Sequence, residues 1–156
     1  MKASAFSYAR PTSVSNAVEL LVAHGERAKV LAGGQSLLPA MNLRLLAPEW
    51  IVDIGGLNEL RGISVSGGRI TIGALTRHAD LLKSAEVAAH APLLGEATAH
   101  IAHPAIRNRG TIGGSLAHAD PASELPACMV ALDATVIACG PAGERRIPAT
   151  EFFTGT

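Results

Sequence analysis

The sequence predicts a two-lobed chain of the α/β plus α+β class, and three observations support that prediction. Strand and helix patterns alternate in the first third of the chain, which favours a small parallel sheet. The sequence Ser66-Gly67-Gly68 separates two short apolar segments and is typical of an antiparallel hairpin. A double glycine follows an apolar segment at 33–34 and again at 113–114. We therefore expect a parallel lobe followed by an antiparallel sheet lobe with helices.

The first lobe is predicted over residues 1–56 as strand, helix, strand, helix, strand. Its predicted elements are a strand at 3–8, a helix capped by Thr12 or Ser13 and ended by Gly25, a strand at 28–32, a short helix with Ser36 as cap and Pro39 in its first turn, and a strand at 50–54. The buried face of the first helix is predicted from apolar residues at helical spacing: Val14, Ala17, Val18, Leu21 and Val22.

The second lobe is predicted over residues 57–156 and is richer in helix. Its predicted elements are a hairpin at 63–65 and 69–72, helices at 76–82, from Ser84, at 92–99 and at 125–132, and a strand at 134–139 that can pair with 145–148. Cys128 and Cys139 lie in apolar runs and are expected to be buried thiols of a reducing compartment.

Composition excludes several classes of function. The chain has 13 Lys+Arg and 13 Asp+Glu, so bulk charge does not predict a nucleic-acid or anionic-membrane surface. Aromatic residues make up 3%, too few for a base-stacking platform. The N-terminus lacks the apolar core of a signal peptide, and the apolar stretch 125–139 is interrupted by Asp133 and too short to span a bilayer. We expect a cytoplasmic protein that does not insert into membranes.

The two double glycines are the strongest functional signal. Glycine lets backbone N–H groups approach a ligand without a Cβ in the way, and a helix start just beyond adds unpaired donors. Neither the P-loop sequence nor GxGxxG is present. Taken alone, each double glycine is better explained by a tight turn with no ligand. Together they predict a diphosphate held between two lobes.

Other clusters of polar residues predict less. His100, His103 and His118 with Asp120 could form a zinc site, but Pro104 forces residue 103 out of helical geometry, which favours turn and surface histidines. Arg107 and Arg109 are expected to be solvated. The alternative is that they face the phosphates of a ligand or a partner protein. No GxSxG elbow accompanies the serines, and two cysteines cannot hold an iron–sulfur cluster on four thiolates. We predict no catalytic side chain and no metal site.

Two strings carry a resemblance to a known family. AGGQSLLPAMNLRL (32–45) and IRNRGTIGGSLAHADPASELPA (106–127) resemble the two flavin-binding signatures of the FAD-binding subunit of molybdenum hydroxylases. The nearest types are the medium subunit of aerobic carbon monoxide dehydrogenase and the FAD domain of xanthine dehydrogenase. The resemblance spans residues 1–156 and implies a two-lobed FAD-binding fold of the PCMH type. Asn42 stands where relatives often carry Lys.

The resemblance also implies which residues contact FAD. The first signature would surround the pyrophosphate with Leu31, Ala32, Gly33, Gly34, Gln35, Ser36 and Leu37. The second would contribute Gly110, Thr111, Gly113, Gly114 and Ser115. Ile101 matches a position that packs on the cofactor, and Glu124 matches an acidic position that accepts hydrogen bonds from the adenosine ribose. A carboxylate in the first turn of a helix is also favourable without any ligand.

The implied function is electron transfer within a larger complex. FAD would pass electrons from 2Fe–2S clusters on a small partner subunit to NAD, a quinone or a cytochrome, while a large partner subunit holds the molybdenum cofactor. The family chain continues beyond Thr156, so its C-terminal domain is expected to be missing here. The alternatives are a stand-alone flavoenzyme that oxidises a small alcohol, and a flavin-free assembly module.

Overall fold

The computed structural model describes residues 2–154, which form a mixed α/β fold with one small parallel sheet and two antiparallel strand pairs. The elements around the parallel sheet are β1 (Ser7–Ala9), α1 (Val14–His24), β2 (Ala28–Leu31), α2 (Leu37–Asn42) and β3 (Trp50–Asp53). The strand order is β1-β3-β2, with both pairings parallel. This confirms the predicted parallel sheet, and it brings the carboxyl ends of all three strands to one edge.

Helix α1 begins and ends as predicted, but its buried face is shifted. The Ser13 hydroxyl accepts a hydrogen bond from the Asn16 amide at 3.1 Å, and Gly25 follows the last turn with φ of 55°. Ala17 is buried, whereas Val22 is 62% exposed. The prediction for Val22 was wrong because the packed face of α1 runs through Ala17, Leu20 and Leu21, and Val22 lies beside that face.

The remaining elements follow the parallel sheet. They are β4 (Ile63–Ser66), β5 (Arg69–Ile72), α3 (His78–Leu81), α4 (Ala85–His90), α5 (Pro92–His100), α6 (Pro104–Arg107), α7 (Ile112–His118), α8 (Glu124–Ala131), β6 (Thr135–Gly140), β7 (Gly143–Pro148) and α9 (Ala149–Phe152). Short 3₁₀ turns lie at Gly25–Arg27 and Asn58–Leu60. Strands β4 and β5 form the predicted hairpin, and β6 pairs antiparallel with β7 from Thr135↔Pro148 to Gly140↔Gly143.

Helix α3 starts later than predicted, because Thr76 belongs to an extended segment. The Thr76 hydroxyl donates to the Gly62 carbonyl at 3.0 Å, and the Thr76 carbonyl accepts from the Ile112 amide at 3.0 Å. Arg77 then forms an isolated antiparallel bridge with Thr111. These tertiary hydrogen bonds hold the chain extended up to the residue before His78.

Two hydrophobic clusters form the core. One lies under the parallel sheet and contains Ala17, Ala28, Val52, Leu57 and Leu75. The other joins α3, α4, α5, α7, α8 and α9 and contains Leu81, Val87, Ala91, Leu94, Ile112, Leu116, Leu125, Cys128, Met129 and Ala149. Leu75 follows the β4-β5 hairpin in sequence yet packs in the cluster under the parallel sheet. A residue from the predicted second lobe therefore belongs to the core of the first. The division at residue 56 stays a prediction.

Cys139 is exposed, whereas the sequence predicted a buried thiol. It lies on β6, where half-buried and exposed residues alternate along the strand. Only one face of the β6-β7 pair packs on the helices, so the apolar run includes an outward-facing residue. Cys128 is buried as predicted, and burial raises the pKa of its thiol. No helix within residues 2–154 is long and apolar enough to cross a membrane.

Candidate functional site

The segment after β2 presents a run of unpaired backbone donors. We call residues 32–37 the amide loop. Within residues 2–154, none of its six backbone amides, from Ala32 to Leu37, has a hydrogen-bond acceptor. Gly34 adopts φ of 73°, which favours glycine, and the Gln35 side chain donates to the Gly33 carbonyl at 3.0 Å. Neighbouring free amides of this kind form a concavity that attracts an anion.

Ser36 adds a polar side chain to the amide loop. It occupies the N-cap position of α2, but its hydroxyl accepts no hydrogen bond from the amides of that helix. The prediction that Ser36 caps α2 was therefore wrong in its hydrogen bond, although right in its position. Pro39 lies in the first turn of α2, as predicted. The Ser36 hydroxyl is left available for a ligand at the loop.

The second double glycine has a different structure from the one predicted. Gly113 and Gly114 lie inside the first turn of α7 and not in a turn between a strand and a helix. The Gly113 amide donates to the Ala74 carbonyl at 2.9 Å, and the Gly114 amide donates to the Thr111 hydroxyl at 3.2 Å. The amides of Ile112 and Ser115 are also bonded within the protein. The four amides from Ile112 to Ser115 are therefore all used within the protein. In the second signature the Thr111 amide, which has no acceptor among residues 2–154, and the side chains remain to bind a ligand.

The amide loop packs against the second signature at two glycines, Gly33 and Gly114. A Cβ on Gly33 would overlap the Arg109 carbonyl oxygen and would lie 2.9 Å from the Gly110 Cα. A Cβ on Gly114 would lie 4.0 Å from the Ala32 Cβ. The predicted juxtaposition of the two signatures is therefore present, and at Gly33 the missing side chain makes room for protein backbone.

A cleft of about 650 Å³ opens beside this contact, and arginines dominate its charge. It is lined by Arg10, Ala32, Gly33, Asp53, Gly55, Arg61, Leu75, Arg77, Ala105, Asn108, Arg109 and Thr111. In the described part of the chain, none of the four arginines has a carboxylate within ion-pair distance. Both Asp53 oxygens are occupied, since they accept hydrogen bonds from the Tyr8 hydroxyl and the Gly55 amide. The cleft is therefore positively charged and suits an anionic ligand.

The residues of the second signature are arranged around a buried histidine that the sequence analysis did not single out. His78 is 4% exposed, and its Nε2 lies 3.1 Å from the Ser115 hydroxyl. The ring packs on Gly110, where an added Cβ would lie 2.8 Å from the ring Cε1. Burial lowers the pKa of His78, so the side chain is neutral at pH 7. No motif marks this histidine in the sequence, because its partners are distant along the chain.

Ile101 and Glu124 lie outside the cleft lining. Ile101 follows α5 and packs against the helical core cluster, while Glu124 is the half-buried first residue of α8. The Arg107 guanidinium donates to the Ile101 carbonyl at 2.8 Å and to the Ala102 carbonyl at 3.1 Å. The expectation that Arg107 is solvated was therefore wrong, because this side chain closes the C-terminal end of α5. Arg109 is exposed and lines the cleft.

The histidines considered for zinc do not come together with other ligands. His100 ends α5, His103 precedes α6 and His118 ends α7. Among residues 2–154 no group of three or more His, Cys, Asp or Glu side chains is placed to hold a metal ion. The free amides of the amide loop, the Ser36 hydroxyl and the arginines of the cleft form an arrangement that can bind an anion.

Comparison with known proteins identifies the family. The family model described as the FAD binding domain in molybdopterin dehydrogenase matches residues 4–156. The chain belongs to this family. Proteins similar to it include the 6-hydroxypseudooxynicotine dehydrogenase complex subunit alpha of Paenarthrobacter nicotinovorans, at 52% identity over 98% of this chain and 52% of the relative. The carbon monoxide dehydrogenase medium chain of Hydrogenophaga pseudoflava is 50% identical over 97% of this chain and 53% of the relative.

Two solved structures share the fold. Carbon monoxide dehydrogenase from Hydrogenophaga pseudoflava matches with a TM-score of 0.98 and 49% identity over 100% of this chain and 54% of that chain. Quinoline 2-oxidoreductase from Pseudomonas putida 86 matches with a TM-score of 0.96 and 43% identity over 99% of this chain and 54% of that chain. The chain thus spans about half the length of the relatives it matches.

Proposed function

We propose that this chain is the FAD-binding part of an electron-transfer subunit in a molybdenum hydroxylase. The observation that supports this most directly is the amide loop, whose six backbone donors lack acceptors within residues 2–154. One phosphate needs fewer donors than the loop offers, whereas the two phosphates of FAD match it better. The neighbouring cleft adds four arginines without carboxylate partners in the described part of the chain.

The residues of this chain would divide the work of binding. The amides of residues 32–37 would hold the pyrophosphate, with Leu31 and Leu37 packing alongside. From the second signature, Thr111 and Ser115 would contribute through their side chains, and Gly110, Gly113 and Gly114 would permit the close backbone packing that places them. Ile101 would pack on the cofactor, and Glu124 would accept hydrogen bonds from the ribose hydroxyls.

In the proposed function, no side chain of this protein acts as a catalytic group. Bound FAD would supply the redox chemistry, accepting electrons from iron–sulfur clusters of a small partner subunit and delivering them to NAD, a quinone or a cytochrome. A large partner subunit would hold the molybdenum cofactor. In finer terms, we propose the PCMH-type fold, lobes at residues 1–56 and 57–156, and a cytoplasmic location.

Flavin titration tests the proposal. The purified chain should bind FAD more tightly than FMN, and inorganic pyrophosphate should compete with FAD. Ser36→Ala should weaken FAD binding, while Ser66→Ala, on the β4-β5 hairpin, serves as the matched control and should leave it unchanged. Equal or tighter binding of FMN would contradict the proposal, and no binding of either flavin would favour the flavin-free assembly module.

A further inference from the structure

The buried side chain of His78 contacts the hydroxyl of Ser115, a residue of the second signature. His78 begins α3, is 4% exposed, and places Nε2 3.1 Å from the Ser115 Oγ. The other ring nitrogen, Nδ1, is buried with no hydrogen-bond partner among the described residues. On that side the ring lies against Gly110, where an added Cβ would be 2.9 Å from Nδ1. The histidine is thus fixed between Gly110 and Ser115, and its ring interacts with the Ser115 hydroxyl and with the Thr111 main chain, while Nδ1 stays without a partner among the described residues.

The unpaired Nδ1 indicates where the ring proton lies. Buried N–H groups without an acceptor are rarer in proteins than buried acceptors without a donor. The favoured neutral tautomer therefore carries its proton on Nε2, which then donates to the Ser115 Oγ. A hydroxyl that accepts this hydrogen bond keeps its own proton free to point elsewhere. The Ser115 hydroxyl then becomes a hydrogen-bond donor toward a ligand bound at the second signature.

We propose that His78 is a positioning residue for the cofactor, because its Nε2–H turns the Ser115 hydroxyl proton outward to donate to an anionic oxygen of the flavin nucleotide. The inference rests on the proposed function, since it assigns Ser115 to the FAD site. It also explains how α7 contributes beyond the Thr111 amide, although the first amides of this helix are all bonded within the protein. The contribution comes from a side chain that a second buried side chain orients.

The charges around His78 allow this role at neutral pH. Burial lowers its pKa, and the nearby Arg107 acts in the same direction, while the Thr111 main chain and the Glu124 carboxylate oppose the shift. The Ser115 hydroxyl does not titrate in this range. A neutral ring with its proton on Nε2 is therefore the state that orients the serine at pH 7.

Substitutions at position 78 separate orientation from packing. His78→Gln places an amide donor near the Nε2 position and should keep FAD affinity close to that of the wild type. His78→Asn is the matched control, because its shorter amide reaches only the Nδ1 position. It should bind FAD about fivefold to tenfold more weakly, as expected for one lost hydrogen bond. His78→Leu should behave like His78→Asn if it folds, and the Gln–Asn comparison decides the matter if it does not.

A double-mutant cycle with Ser115→Ala completes the test. FAD affinity is measured by flavin fluorescence, and the melting temperature of the flavin-free form is measured separately for each variant. In the Ser115→Ala background, His78→Asn should cost no further affinity. An equal loss in both backgrounds, or equal affinities of the Gln and Asn variants, would overturn the inference. If Ser115→Ala alone keeps wild-type affinity, the inference fails while FAD binding stands; if the wild type binds no flavin, both fail.

Discussion

At the residue scale, Gly33 shows how tightly the two signatures are fitted together. Any Cβ at this position would overlap the Arg109 carbonyl oxygen, which belongs to backbone and cannot rotate away. Gly33→Ala should therefore lower the free energy of unfolding by about 1–3 kcal/mol, the usual cost of forcing extra atoms into a packed site. Urea denaturation of the flavin-free protein measures this loss without involving the ligand.

Gly95 provides the matched control for that substitution. It lies inside α5, and an added Cβ would only reach ordinary contact with Val87 at 4.0 Å. Alanine is the better helix former, so Gly95→Ala should raise stability by about 0.5–1 kcal/mol. If Gly33→Ala were tolerated as well as Gly95→Ala, the close contact between the two signatures would be wrong.

His78 also predicts how stability depends on pH. Its pKa is lowered by burial from the ordinary value of 6.5, so the unfolded chain takes up this proton at a higher pH than the folded chain. The stability that the neutral ring contributes is fully present above the unfolded pKa and is lost as pH falls below it toward the folded pKa. Urea unfolding from about pH 8 to about pH 5 should show a steeper acid loss for the wild type than for His78→Gln. Parallel curves for the two proteins would contradict the buried state of His78.

At the element scale, the start of α7 depends on one threonine. Thr111 is 5% exposed, and its hydroxyl accepts a hydrogen bond from the Gly114 amide at 3.2 Å. Thr111→Val keeps the shape and removes the cap, so it should cost about 1 kcal/mol of stability, whereas Thr111→Ser should keep most of it. Thermal unfolding of the flavin-free variants provides the measurement, and equal melting temperatures for Val and Ser would exclude a capping role.

The two double glycines also show how far the sequence can be interpreted. Both follow apolar residues and precede a polar residue, so they look alike along the chain. The first is the predicted loop after a strand, with Gly34 at positive φ. The second became part of a helix because the Gly113 amide bonds to Ala74, far away in sequence. Periodicity and turn residues located the strands and the hairpin, but they carry no information on such a tertiary partner.

The same limit explains the missed residues at the site. His78 has no local motif, since its role depends on Gly110 and Ser115, which tertiary packing brings to it. Exposure of Cys139 was missed for a related reason. An apolar run predicts a buried strand, but which strands are covered on both faces depends on the packing of distant helices.

At the scale of the whole molecule, the chain should be unable to hydroxylate a substrate by itself. It contains two cysteines, and residues 2–154 contain no cluster of side chains placed to hold a metal. Substrate-dependent dye reduction should therefore be absent for the purified chain and appear when iron–sulfur and molybdenum subunits are co-expressed with it. Turnover by the chain alone at the rate of the assembled complex would instead favour a stand-alone flavoenzyme.

The six unpaired amides of the amide loop have a consequence for how this site can change over evolutionary time. Every amino acid except proline carries the same main-chain donor, so the six backbone donors of the loop, unlike the Ser36 hydroxyl, do not depend on side-chain identity. Point mutations at Gln35 or Leu37 can change the side chain while the backbone N–H donor of that residue remains. Substitution should be restricted chiefly at Gly33 and Gly34, where close packing and positive φ favour glycine. Sequence divergence at Gln35 and Leu37 is therefore compatible with an unchanged ligand.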